Sequence, residues 1–186
     1  MLESAVRPQR DARRTRAAIL AAAQEAFSAR GYSDTGVRDI TAAAGANPAL
    51  VSRYFGSKEK LYEAALSDLL DDATVTGLPR ERFGEAVVAM LTARVREQLN
   101  PLRMMMMASA DPTARAITDR LLKTIFIEPL TRWYGDERGA GKAACFSALA
   151  AGLTLYRDLY PLDAFNAGMS EDTRRWLVNA FQSLVD

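Results

Sequence analysis

Residues 37–61, VRDITAAAGANPALVSRYFGSKEKL, leave this chain few ways to fold. Val37, Ile40 and Ala44 recur at helical spacing and give a short helix one apolar stripe. Gly45 ends that helix, because a residue without a Cβ enters the left-handed conformation of a helix stop at little cost. Asn47 can cap the next helix through its side-chain oxygen, and Pro48 suits the first helical position, where its missing N–H is no loss. Two short helices joined by so tight a turn match a helix-turn-helix, whose second helix can enter the major groove of DNA.

The flanking sequence is helical too. Residues 1–10 are polar, contain Pro8 and read as a flexible arm. A first helix over residues 11–30 places Ile19, Ala23, Ala26 and Phe27 on one face, and Gly31 stops it. A fourth helix starts after the cap Ser57 and runs to about residue 73, with Leu61, Ala65, Leu66 and Leu69 as its buried stripe. Residues 11–73 thus form one domain. After a loop over residues 74–79, a second, larger helical domain fills residues 79–186. Phe83, Val87, Leu91 and Val95 stripe its first helix, which Pro101 breaks before a short segment holding Met104 to Met107. Asp111 and Pro112 open a long helix reaching Tyr134, which Pro129 should kink or split. A small-residue helix covers residues 139–159, and Ser170 caps the last one. The predicted fold class is all-α, an N-terminal helix-turn-helix DNA-binding domain followed by a larger helical domain.

Charge divides along the chain. Residues 1–60 carry a net +4 and the remainder −3, so a basic front precedes a mildly acidic body, as suits a head that binds a polyanion. The alternative is a chance imbalance on solvated faces. With no histidine, Ser-His and Cys-His nucleophile pairs and histidine-based zinc sites are excluded. With one cysteine, Cys145, no intramolecular disulfide can form, which fits a reducing cytoplasm. The longest apolar run, residues 143–156, is short of the roughly 20 residues that span a bilayer. No cofactor, metal or membrane is expected.

Several fixed-spacing elements agree at once: Gly31-Tyr32, Val37-Arg38-Asp39-Ile40, Ala43-Ala44-Gly45, Asn47-Pro48 and Tyr54-Phe55-Gly56-Ser57-Lys58-Glu59. Over residues 12–66 the chain resembles the DNA-binding domain of the TetR (tetracycline repressor) family. The resemblance implies double-stranded operator DNA as partner and contacts from the second helix and its surroundings. The second helix exposes Ala49, Ser52 and Arg53 if Val51 and Phe55 face inward. Arg53 can then read a guanine edge or pair with a phosphate, and Ser52 can hydrogen-bond to either. Lys58 can meet a phosphate at the start of the fourth helix. Arg38 and Thr41 are placed on the outer face of the first short helix, and Asn47 and Tyr54 complete the contact set. Ser52, where the family often has tyrosine, and Gly36, where it often has Ser or Thr, depart from the pattern; Thr35 is expected to assist Gly36 as a cap. Arg10, Arg13, Arg14 and Arg16 either touch DNA or form a solvated basic end.

The resemblance also implies a homodimer and a small-molecule effector, which makes residues 79–186 a helical ligand-binding and dimerisation domain. Ala144, Ala148 and Ala151 on the small-residue helix, with Trp176, Leu177 and Phe181 on the last helix, are the expected dimer contacts; the alternative is an ordinary intramolecular helix pair. Met90, Arg94, Met104, Met107, Phe126, Trp133 and Tyr156 are the expected effector-pocket lining, although core packing competes for each methionine. Arg94 or Arg157, if turned inward, would suit an anion. The reading is a cytoplasmic, ligand-responsive repressor binding a palindromic operator as a dimer. Its rivals are a helical ligand- or protein-binding module without working DNA contacts and, more remotely, a helical enzyme.

Overall fold

The computed structural model describes residues 6–70, 73–93, 99–135 and 137–186, and every regular element among them is helical. In chain order these are α1 (Val6–Arg30), α2 (Val37–Ala43), α3 (Ala49–Tyr54), α4 (Lys58–Leu69), the single turn α5 (Ala73–Thr76), α6 (Phe83–Thr92), α7 (Pro101–Ala108), α8 (Pro112–Leu121), α9 (Glu128–Tyr134), α10 (Gly139–Thr154) and α11 (Glu171–Gln182). α1 begins at Val6, so residues 6–10 continue the first helix rather than form an arm. Pro8 falls in its first turn, where no N–H is needed. α4 stops at Leu69. Among the described residues no helix is long and apolar enough to cross a membrane.

Two compact units result, Met1–Leu69 with Gln98–Asp119, and Leu70–Glu97 with Arg120–Asp186. α7 and most of α8 therefore fold with the N-terminal helices, although they lie well beyond residue 79 in sequence.

In the first unit α1 packs on α2, α4 and α7. Ile19, Ala23, Phe27, Ile40, Leu61, Tyr62, Leu66 and Met104 are wholly buried there. The rings of Phe27, Tyr32 and Tyr62 lie 5.3–5.8 Å apart, two of the three pairs edge to face. Each such pair contributes about 0.5–1.5 kcal/mol beyond its buried area. The Tyr62 hydroxyl hydrogen-bonds to that of Thr118 at 2.8 Å in the interior. Met107 lies against Gly31 at the end of α1. Met104 and Met107 thus take part in the first unit's packing, where α7 meets α1 and α4.

The second unit is built around Phe146 of α10, whose ring lies 6.1 Å from Phe83, 6.0 Å from Phe126 and 5.5 Å from Phe181. α6 lies against α11, and Gln182 joins them: its amide N–H donates to Arg80 O at 3.0 Å while its oxygen accepts from Gly84 N–H at 3.0 Å. The Arg80 guanidinium sits 4.2 Å over Trp133.

Asp111 caps α8, accepting from the N–H groups of Thr113 and Ala114 at 2.9 and 3.0 Å. Pro129 neither stops the helix nor splits it. It cannot give an N–H to Ile125, and its ring would strike that carbonyl. Residues Leu122–Ile127 widen instead into a π-helical turn, the Glu128 N–H reaching back five residues to Lys123 O, and α9 continues from there. A second π-helical turn, Leu155–Leu159, ends α10. Ser170 caps α11 through Thr173 N–H at 3.1 Å.

Candidate nucleic-acid interface

α3 owes its shape to local chemistry. Gly45 takes φ +61° and turns the chain, while Ala46 N–H closes onto Thr41 O at 2.8 Å. Asn47 Oδ1 accepts from Ala49 N–H at 2.9 Å, and Pro48 already has helical dihedrals of −52° and −33°. Only six residues follow, a rod about 9 Å long. Val51 and Phe55 are buried beneath it, and Ala49, Ser52 and Arg53 are exposed on its opposite side. Spaced i, i+3 and i+4, these three form one face that an approximately 12 Å major groove can admit.

α2 starts at Gly36, whose N–H donates to Asp39 Oδ2 at 3.2 Å. Thr35 does not assist there. Its buried hydroxyl donates back to Gly31 O at 2.6 Å and Ala26 O at 3.2 Å, and so completes α1. Ser57 caps α4 by accepting from Lys60 N–H at 3.2 Å.

Three cations of this unit rest on aromatic rings. Arg53 Cζ is 5.9 Å from the Tyr54 centroid, Lys58 Nζ is 4.2 Å from that of Tyr32, and Arg16 Cζ is 4.7 Å from that of Phe55. A partly solvated contact of this type is worth about 0.5–1 kcal/mol. Lys58 is half-buried, and its charge acts on two carboxylates. Glu59 is held below the usual carboxylate range by the Ser57 hydroxyl, its own N–H and the Tyr32 hydroxyl, with Lys58 adding to them. Asp111 is lowered first by Ala114 N–H, then by the Ser33 hydroxyl, which donates to it at 2.8 Å, and also by Lys58. Burial pushes the Tyr32 phenol well above its ordinary value, and the Glu59 charge pushes it further.

Arg38, Asn47, Ala49, Ser52, Arg53, Tyr54 and Lys58 all reach the surface of the first unit, Tyr54 and Lys58 partially. Thr41 does not. It is completely buried, and its hydroxyl donates to Val37 O and Arg38 O at 2.9 and 3.1 Å. It therefore presents nothing to a duplex, because the face of α2 that bears it is pressed inward together with Ile40.

Of the expected effector-pocket residues, Met104 and Met107 lie in the first unit, and Met90, Phe126, Trp133 and Tyr156 in the second. Arg94 lies outside the described residues. Phe126 and Trp133 are half-buried, their rings tilted against those of Phe146 and Phe83; Met90 is half-buried on α6, and Tyr156 is exposed. Arg157 is half-buried and donates to Leu91 O at 2.6 Å. Tyr156 lines a shallow depression of about 180 Å³ with Ala148, Gly152, Phe165, Trp176 and Leu177. Of the expected dimer contacts, Ala144, Ala148 and Trp176 are exposed and Ala151 half-buried. Phe181 is wholly buried against Phe146, and Leu177 is buried apart from the edge that reaches the depression, so both serve the chain's own core.

Tyr32 as the platform for Lys58 and Phe55 as that for Arg16 were not foreseeable. The partners are 26 and 39 residues apart and share no local pattern.

Comparison with known proteins agrees with this geometry. The family model described as "Bacterial regulatory proteins, tetR family" matches residues 19–65, and the model described as "Tetracyclin repressor-like, C-terminal domain" matches residues 81–185. The HTH-type transcriptional regulator TcmR of Streptomyces glaucescens is 28% identical over 178 residues, covering 92% of this chain and 77% of TcmR. The HTH-type transcriptional repressor Rv3405c of Mycobacterium tuberculosis is 47% identical over 53 residues, 28% of each chain. The crystal structure of a TetR-family regulator from Streptomyces coelicolor A3 superposes with a TM-score of 0.55 at 25% identity, covering 92% of this chain and 94% of that one.

Proposed function

The chain belongs to the tetR family of bacterial regulatory proteins and is accordingly a DNA-binding transcriptional regulator; from that premise we propose that it is a cytoplasmic repressor that grips a palindromic operator as a homodimer and releases it on binding a small molecule. The observation that carries the reading is the exposed face Ala49, Ser52 and Arg53 on a helix pinned at its start by Asn47 and at its base by Val51 and Phe55. A rod of that length with one arginine in its last turn is suited to base edges, with Arg38 and Lys58 taking flanking phosphates. Ser52 and Tyr54 supply hydroxyls for either. One α3 reads too few base pairs for a useful site, and a twofold dimer doubles the contact. The exposed face of α10 and α11 around Trp176 and Ala148 would carry that pairing.

Effector and operator binding are then linked, each weakening the other by the same factor. Selection of bound fragments from a random DNA pool, followed by mobility shifts with Arg53→Ala, tests the reading. The unaltered protein enriches an inverted repeat, and the variant loses discrimination at one base pair in each half-site, worth about 1–3 kcal/mol. Recovery of no common sequence would favour a module without working DNA contacts.

A further inference from the structure

We infer that Arg16 of α1 is a phosphate-contacting residue of the operator complex, held ready by the ring of Phe55 at the end of the recognition helix. The inference rests on the DNA-binding reading above. Arg16 is exposed, and its guanidinium carbon lies 4.7 Å over the Phe55 ring, whose other surroundings bury it to 8% exposure. Phe55 directly follows α3, so the charge stands at the flank of the reading helix and not on the Ala49–Ser52–Arg53 face. What borders a groove at that flank is a phosphate strand rather than base edges. Arg16 makes no hydrogen bond or ion pair with any described residue, whereas Arg14, two positions earlier, is engaged with Asp11 at 3.7 Å. A ring accepts no conventional hydrogen bond, so a guanidinium held over one keeps N–H groups for bonds to phosphate oxygens. Seating the side chain beforehand also reduces the rotamer entropy that binding would otherwise cost.

A purely structural alternative exists: a cation favourably placed at the C-terminal end of α3. The two differ in salt dependence. Each phosphate contact contributes about 0.9 to the slope of log affinity against log salt. Operator binding is titrated by fluorescence anisotropy from about 50 to about 200 mM salt with the unaltered protein, Arg16→Ala, Arg16→Lys and Arg30→Ala. Arg30 is an exposed arginine about 21 Å further along α1. Over that salt range Arg16→Ala should weaken about 3.5-fold less per protomer than the unaltered protein, with its sequence preference intact. Arg16→Lys should keep the slope while binding less tightly, and Arg30→Ala should keep both. Phe55→Leu should weaken binding less in the Arg16→Ala background than alone, thermal melting confirming that both variants are folded. An unchanged slope in Arg16→Ala, or an equal flattening in Arg30→Ala, overturns the inference while leaving the DNA-binding reading intact. Absence of operator binding by the unaltered protein would overturn that reading itself.

Discussion

Replacing Gly84 with alanine should cost the second unit a measurable part of its stability. A Cβ at this position would stand 2.1 Å from the carbonyl oxygen of Val178 and 3.0 Å from the N–H nitrogen of Gln182. Both are backbone atoms of α11, so no side chain can rotate out of the way. Non-bonded heavy atoms rest at about 3.5 Å, so α6 and α11 must part by upwards of about 1 Å. Overpacking of this kind costs about 1–3 kcal/mol. The same movement stretches the 3.0 Å bond from Gly84 N–H to Gln182 Oε1, removing about 1 kcal/mol more. Alanine's better helix propensity returns about 0.5–1 kcal/mol, leaving a net loss of about 1.5–3 kcal/mol. In a chain of this size each kcal/mol moves Tm by about 2–4 °C, so Gly84→Ala should melt about 3–12 °C lower. The control is Gly141→Ala on α10, where a Cβ meets nothing within 4 Å. There only the propensity term operates, and Tm should rise by up to about 4 °C. Both are read by circular dichroism at one fixed protein concentration, because self-association makes Tm concentration-dependent. A Gly84→Ala protein melting within about 1 °C of the unaltered one, or above it, would refute the close α6–α11 approach.

Lys58→Ala should flatten the salt dependence of operator binding by about 0.9 in slope per protomer and weaken all sequences alike; a steady slope across a salt titration removes its phosphate role. Thr41→Val should lower stability by about 1 kcal/mol through loss of the buried hydroxyl bonds yet leave the salt slope untouched, and a changed slope would return Thr41 to the interface. Tyr134 has a buried hydroxyl without a hydrogen-bond partner, so Tyr134→Phe should melt at the same temperature or higher near neutral pH. Burial raises this phenol from 10.0 to about 12. The neutral form is the one the fold favours, so its contribution is complete below about pH 10 and is lost as pH rises through 12. Melting curves of the unaltered protein should therefore fall more steeply between pH 10 and 12 than those of Tyr134→Phe, and parallel curves would count against the burial.

What could be read from residue order alone is what neighbours in sequence determine. Gly45, Asn47 and Pro48 specify the turn and the start of α3 within a few residues, because dihedral preference and capping are local, and the structure reproduces them. Asp111, Ser57 and Ser170 were legible as caps for the same reason. Pro129 was legible as a disturbance but not as a π-helical turn, since the form the disturbance takes depends on what packs beside it.

The tertiary structure decided which of two plausible faces turns inward. Helical periodicity places Thr41 beside Ile40 without saying whether a hydroxyl satisfied by its own helix can be buried, and it was. A run of four methionines fits any apolar neighbour, and only the return of α7 to α1 and α4 put Met104 in the first unit. Phe181 and Leu177 look as ready for a partner subunit as for Phe146, because burying apolar area is favourable whichever surface supplies the cover. The cation platforms arose likewise: a ring's face attracts whatever charge the fold brings to it, and no spacing along the chain encodes that meeting.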